Sequence, residues 1–583
     1  MAILEHVSFD AVGLPPDPAA ASRLRRPVEP TMRPTCRLAC RVVLLVGLGP
    51  ATASLPAGAA EWLPAATDLP RAIDHAVGQH LEKAGITAAP AADWPTLLRR
   101  TALDLAGRTP TLAEYEWLES LPEAERRFAM VDHLMALVDF DLHLRNGLDE
   151  LLLPNHPHNG EFRDYLLWAV QSRRPWDQMF RDLMAARPSE GPEKGAVHFV
   201  RSRVRDVDEL TNDTAILLFG VNVSCAKCHD HPLVDQWQQQ HFYGMQAFFS
   251  RTFMTRQNVV TERPFGQVTF KTTAGEDKTA SLTFLNGVTI EDRSPTFTEE
   301  ERKRLEEQLR KMEQSDKVGY VIFPDFSPRR ELVEAALKDT EQRFFPRNIV
   351  NRIWQRLMGV ALVDPPDQLH AGNPPSHPEL MDWLTRDLVD HRYDLRRLVR
   401  GIVLSDAYAR SSRWTSADTP PPPSSYALAS TRPLTPRQMA TSLLVASRGT
   451  VMDVAKAAEP GGAWSRQRLD LENQAGGWVR EFEYPAEGFQ VAVDEALFMS
   501  NNERVQNDLL RDSGDSLVGR LKASATDDAL VRHVWRSVLT RDPSADEAAA
   551  ATEWLARHPD DRLGSIRSLA WALIAGPEAR FAR

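Results

Sequence analysis

Cysteine is scarce in this chain. Four residues in 583 are too few for a disulfide scaffold to hold so long a polypeptide, so each is read by its position. Long apolar runs are absent as well. The most hydrophobic stretch near the N-terminus, residues 42–48, falls far short of the ~20 residues a spanning helix needs. Positive charge is outweighed, with 69 Lys and Arg against 80 Asp and Glu for a formal charge of −11. No basic field therefore draws in phosphate, which excludes nucleic acid and anionic lipid as main partners. Patterns of the GxSxG, HExxH, Walker and dinucleotide-glycine types do not occur. What is present is a globular composition, 43% hydrophobic and 26% charged, with length for two or more domains of roughly 100–200 residues.

The N-terminal 60 residues read as an address. Residues 1–31 are rich in Pro and Ala without periodicity, and from Met32 the pattern becomes that of a secretory signal peptide. Arg33, Arg37 and Arg41 form a basic region, residues 42–48 an apolar one, and Ala57-Gly58-Ala59 offers the best cleavage site, with translation expected to start at Met32. Cys36 and Cys40 lie inside this segment, and a lipoprotein anchor at Cys40 is excluded because the apolar stretch follows that cysteine. Cleavage would leave an acidic chain of charge −13 whose only cysteines are Cys225 and Cys228. The expected location is periplasmic or secreted, with no stable membrane span after cleavage, in a compartment that permits disulfides.

From residue 61 onward the period is mostly helical. Residues 94–105, 128–138, 162–170 and 210–221 place apolar side chains three and four apart, with Gly220 as a terminator. Between about 251 and 297 the period drops to two, in Gln267–Phe270 and Leu282–Phe284, which predicts a small β hairpin or meander. Glu299–Gln314 is dominated by charge and reads as a solvated connecting helix. In the C-terminal half Ser376 with Glu379, Thr435 with Gln438 and Ser544 with Glu547 have capping-box spacing. Leu395, Leu398, Val399, Ile402 and Val403 make a core stripe, and Pro420–Ser425 a stiff loop or linker. The fold class expected is mainly α: two helical domains, 61–297 with the β insertion and 328–583, joined by a charged helix and linker at 298–327.

The segment that carries chemistry is Val223-Ser224-Cys225-Ala226-Lys227-Cys228-His229-Asp230-His231-Pro232. A CxxCH arises by accident in about one of 2,000 chains of this composition. The spacing suits c-type haem attachment, in which two thiols three residues apart bond the porphyrin vinyl groups and the adjacent imidazole turns under the ring to reach iron. Cys225, Cys228 and His229 are then the attachment residues, and Met245 or His241 a candidate sixth ligand. A second reading needs no porphyrin: Cys225 and Cys228 with His229 or His231, completed by Asp230, Asp235 or His241, have the soft sulfur and imidazole donors that hold Zn or Fe. A third is a local Cys225–Cys228 disulfide that staples a turn. Downstream, Trp237, Phe242, Tyr243, Met245, Phe248 and Phe249 read as a core helix that also suits the wall of a haem pocket.

These residues carry a resemblance. The run from Cys225 to Pro232, followed by His241-Phe-Tyr-Gly-Met-Gln-Ala-Phe-Phe, resembles the planctomycete-type secreted cytochrome-associated domain, PSCyt, and Thr96–Pro110 resembles that domain's N-terminal helix. Asn351-Arg-Ile-Trp with Gly359, Asn373–Leu380 and Tyr393–Arg400 resemble its usual partner, the PSD domain. The stretch Pro232–Trp237 is one residue longer than the family's form. The resemblance implies a haem or redox association; members are often fused to a separate cytochrome c domain, and none is visible here. The function expected is therefore an exported redox or electron-transfer protein with haem c at residues 225–229 and a redox or cell-surface protein as partner. The alternatives are a Zn or Fe protein on the same cluster, for which hydrolysis is one expected chemistry, and a cell-surface scaffold with a structural CxxC.

Overall fold

The helix Trp94–Ala106 shows how local sequence and packing meet in this fold. The Asp93 carboxylate accepts the Thr96 N–H at 2.8 Å, Pro95 occupies the first turn where no N–H is needed, and Gly107 ends the helix at a φ of 66°. A side chain at Gly107 would stand 2.3 Å from Nδ1 of His143, so glycine is required there by packing as well as by backbone. Every residue from Leu97 to Ala106 is buried, including two arginines. Arg99 donates to the carbonyls of Val538 and Ala579, and Arg100 to those of Tyr408 and Arg410. These long-range bonds tie the helix to chain more than 300 residues away.

The computed structural model describes residues 63–64, 66–154, 156, 158–185, 191–230, 234, 237–314, 325–416, 419–448, 452–484 and 493–583. The expected signal peptide and upstream extension lie outside them. Residues 65–583 gather into one compact unit, mainly α. The β insertion consists of three successive antiparallel hairpins: Thr252–Met254 with Val260–Glu262, Thr269–Lys271 with Asp277–Thr279, and Leu282–Thr283 with Thr289–Ile290. A fourth pairing, Arg432–Pro433 with Phe581–Ala582, is too short to leave a period in the sequence. Among the described residues no helix is long and apolar enough to cross a membrane.

Several local expectations are met and others are corrected. Thr435 with Gln438 and Ser544 with Glu547 form capping boxes. Ser376 with Glu379 does not: Pro378 opens the helix Pro378–Asp390, which moves the cap to His377 and leaves the Ser376 hydroxyl against His377 Nδ1. Phe128 is exposed on the helix Glu123–Ala136 instead of joining its buried face. The helix Glu299–Gln314 forms as expected, but its Leu309 is buried against Phe253 of the first hairpin, so it is docked as well as solvated. The Pro420–Ser425 stretch leads into Ser425, Tyr426 and Ala427, all buried, with the Tyr426 hydroxyl donating to Ala361 O at 3.1 Å.

Charge is buried at the junction of early and late helices. Arg108 is fully enclosed; its Nε meets Asp139 at 2.5 Å and its two terminal nitrogens grip Glu114 at 2.8 and 2.9 Å. Asp139 also accepts from Arg468 and from the Trp464 indole, and Glu472 accepts from Arg145, Arg437 and Arg468. Burial alone would push the Glu472 carboxyl up, but the three arginines outweigh it and hold the group down to about 2. Breaking one member of such a network strands a buried charge, so Arg108→Met is expected to lower unfolding stability by roughly 3–5 kcal/mol, read by urea denaturation.

A second expectation concerns acid. His377 is 4% exposed, packs against the rings of His80 and Tyr426, and is pushed down to about 4 by burial and then by His80. Its folded value lies below that of the unfolded chain, which therefore binds the proton first as pH falls. Stability contributed by neutral His377 is complete above about pH 6.5 and is lost between there and about pH 4, on the order of 3 kcal/mol. His377→Gln should flatten that part of the stability profile; an unchanged slope would show that the imidazole titrates equally in both states.

Candidate functional site

The CxxCH motif follows the helix Val207–Phe219, and the exit from that helix decides where the motif lies. Asp206 caps its start, accepting the Asp208 and Glu209 N–H groups, and Gly220 ends it at a φ of 68°. A side chain at Gly220 would stand 2.5 Å from Leu369 and 2.8 Å from Asn348 Oδ1. Two carbonyls of the last turn, where intrahelical partners run out, accept from the helix Phe344–Met358, Ile216 O in addition to its bond from the Gly220 N–H. Asn348 Nδ2 donates to Leu217 O at 2.7 Å, Arg352 Nη2 to Ile216 O at 3.1 Å, and Arg352 Nε to Asn348 Oδ1. Beyond the helix end, Leu369 N donates to Gly220 O, Asn222 N donates to Asp367 O, and Val221 bridges Gln368.

Past this clamp the Asn222 side chain accepts from the Ser224 N–H and hydroxyl, which starts a short 3-10 turn over Ser224–Lys227. Val223 and Ala226 are fully buried, whereas Cys225, Cys228, His229 and Asp230 face solvent. The loop is held from below by the helix Gln239–Ala247. Gln239 Nε2 donates to Cys228 O at 3.2 Å and to Lys271 O at 3.3 Å, while its Oε1 accepts the Thr273 N–H. The Tyr243 hydroxyl donates to Lys227 O at 3.1 Å, and its ring stacks on Phe270 at 4.1 Å. Lys227 pairs with Asp208 on the preceding helix. The hairpin Thr269–Lys271 with Asp277–Thr279 is thus part of the cradle.

Each sequence-predicted ligand has a definite place. Cys225 and Cys228 are free thiols, both exposed and not bonded to each other. His229 Nδ1 lies 2.8 Å from the Asp230 carbonyl oxygen. A carbonyl only accepts, so Nδ1 is the donor in this contact, and Nε2 is the ring nitrogen that remains for a ligand bond. Asp230 Oδ1 accepts the Gln239 N–H at 3.1 Å and so caps the helix that cradles the loop. His241 Nδ1 accepts the Gln238 N–H at 3.1 Å, and burial pushes its imidazole down; its ring serves the helix start. Met245 is fully buried with Phe242, Phe248 and Phe249, the core face read from their spacing. His231 and Asp235 lie outside the described residues. Cys225, Cys228 and His229 do not bring three ligand atoms within 4.8 Å of one another.

The residues that position the motif, Gln239, Asn348 and Arg352, carry no chemical signature in sequence, and the last two lie far from it along the chain. If Gln239 holds the loop as these distances indicate, Gln239→Ala will speed amide hydrogen exchange over residues 225–230 in native protein. The same change will cost about 1–2 kcal/mol of stability. Unaltered exchange in that stretch would mean that the loop is held without the Gln239 amide.

Two family comparisons match the chain. Residues 72–253 match PSCyt2, described as a protein of unknown function (DUF1549), and residues 328–469 match PSD1, described as a protein of unknown function (DUF1553). No curated protein and no solved structure matches.

Proposed function

Because the chain belongs to the proteins in which a PSCyt2 domain is followed by a PSD1 domain, we propose that its exposed CxxCH loop is a covalent haem attachment site, used for electron transfer or redox chemistry outside the cytoplasm. The observation that carries the reading is the state of His229. Its Nδ1 is committed to the Asp230 carbonyl, its Nε2 has no hydrogen-bond partner among the described residues, and the residue shares the loop with two exposed thiols that are not bonded to each other. Cys225 and Cys228 would supply the two thioether sulfurs and His229 the axial nitrogen. Haem so held supplies one-electron exchange.

The chain's own residues do the rest of the work. The Asn348 and Arg352 clamp fixes where the loop leaves its helix, and Gln239 and Tyr243 fix the carbonyls of Lys227 and Cys228. The side chains at 225, 228 and 229 are thereby turned outward while Val223 and Ala226 anchor the turn. A closed tetrahedral zinc site is the weaker reading, since it requires its donors within bonding distance of one centre and the two thiols and His229 are not so gathered. Met245 could reach an iron only by leaving the packed interior, so a sixth ligand, where there is one, is expected from another residue.

Expression with a signal peptide in cells that attach haem tests the proposal. The purified protein should be red, with a Soret band that survives acid-acetone extraction, and Cys225→Ser with Cys228→Ser should be colourless. A colourless parent from cells that mature a control cytochrome would overturn the reading. Stoichiometric zinc or iron lost on the same substitutions would then assign the cluster to a non-haem metal. Cysteine substitutions that alter only thermal stability would assign the protein to the scaffold class.

A further inference from the structure

A second set of donors lies at the other end of the helix that leads to the motif. Glu209 and Asp213 are four residues apart on Val207–Phe219 and so share a face. His156, from the segment between Val138–Leu152 and Gly160–Gln171, points at both: its Nε2 is 3.4 Å from Glu209 Oε1 and 4.0 Å from Asp213 Oδ2. The three donor atoms lie within 4.8 Å of one another, and this is the only such grouping of His, Cys, Asp and Glu among the described residues. We infer that His156, Glu209 and Asp213 form a binding site for one divalent first-row cation of the zinc class, with open coordination positions toward solvent.

Three features favour a cation over a plain ion pair. First, donors about 2.0–2.2 Å from a tetrahedral centre stand roughly 3.4 Å apart, and the observed separations are close to that edge before any ion is added. Second, the Asp213 carboxylate is already held in place, on the oxygen that faces His156. The fully buried Arg203 donates to Asp213 Oδ2 at 2.5 Å and fixes itself on the carbonyls of Phe199 and Leu152. Such an outer hydrogen bond orients a ligating carboxylate, and with Glu209 the site keeps one net negative charge for the cation. Third, a second imidazole, His198, lies within electrostatic range of His156, and its Nδ1 is buried without a hydrogen-bond partner among the described residues. The donor set is nitrogen and oxygen without sulfur, which suits Zn2+, Mn2+ or Fe2+ and disfavours Cu+.

The site is independent of the haem reading and is tested without it. The full chain, free of any histidine tag and with its four cysteines replaced by serine, is titrated with Zn2+ by calorimetry and with Co2+ by visible absorption. One equivalent should bind, and His156→Gln and Glu209→Gln should each weaken binding at least tenfold. Glu209 is substantially exposed, so its variant should keep the parent's metal-free melting temperature. The inference is overturned if the cysteine-free protein takes up no stoichiometric Zn2+, or if uptake is indifferent to both substitutions.

Discussion

At the end of the helix Val207–Phe219 the Leu217 carbonyl accepts from another helix, and Ile216 O adds a bond from there to the one it accepts from the Gly220 N–H; the placement of the motif depends on these contacts. Asn348 and Arg352 are the donors, and Leu369 fills the space that a side chain at Gly220 would need. A buried carbonyl left unpaired costs on the order of 1–3 kcal/mol, so the PSCyt2 region and the PSD1 region are held in one register by hydrogen bonding as well as by apolar contact. The loop that carries Cys225, Cys228 and His229 starts two residues beyond this register point. Its exposure is a consequence of the clamp, since Val223 and Ala226 are the side chains the clamp directs inward.

The same logic recurs deeper in the molecule at greater electrostatic cost. Arg108, Asp139, Glu114, Arg468 and Glu472 are all withdrawn from water, where an apolar set of equal volume would often be no less stable. What the ions add is a demand for one geometry: Glu472 meets Arg468 on its own helix and Arg145 and Arg437 from two others. Arg99 and Arg100 likewise satisfy carbonyls close to the C-terminus and near residue 410. Arginine is suited to this role because its planar fork serves several acceptors at fixed angles. The outcome is a single compact body, 65–583, that contains both family regions, 72–253 and 328–469.

Much of this was legible in the sequence where the signal is local. The helix at 94–106, the stop at Gly220, the caps at Thr435 and Ser544, the change of period near 251 and the stripe from Leu395 to Val403 each rest on neighbours within a turn or two. The CxxCH was found because its chemistry is written in adjacent residues. Ser376 was misread because Pro378 competes with it for the helix start, and the docking of Leu309 was missed because one leucine in a charged helix carries little weight. Asn348, Arg352 and Gln239 were invisible, since an amide or guanidinium that satisfies a distant carbonyl has no spacing to betray it. Glu209 and Asp213 did have a helical i,i+4 spacing, but nothing in the sequence brought His156 to them.

The central claim is that residues of the PSD1 region hold the CxxCH loop in place from across the interface. Amide hydrogen exchange resolved over residues 216–228, compared between the parent and Asn348→Ala, tests it most directly. Exchange in that stretch should accelerate while the amides of Asp527–Leu539, in the C-terminal core, keep the parent's protection. Equal protection of residues 216–228 in both proteins would contradict the account, because the loop would then owe its position to the PSCyt2 region alone.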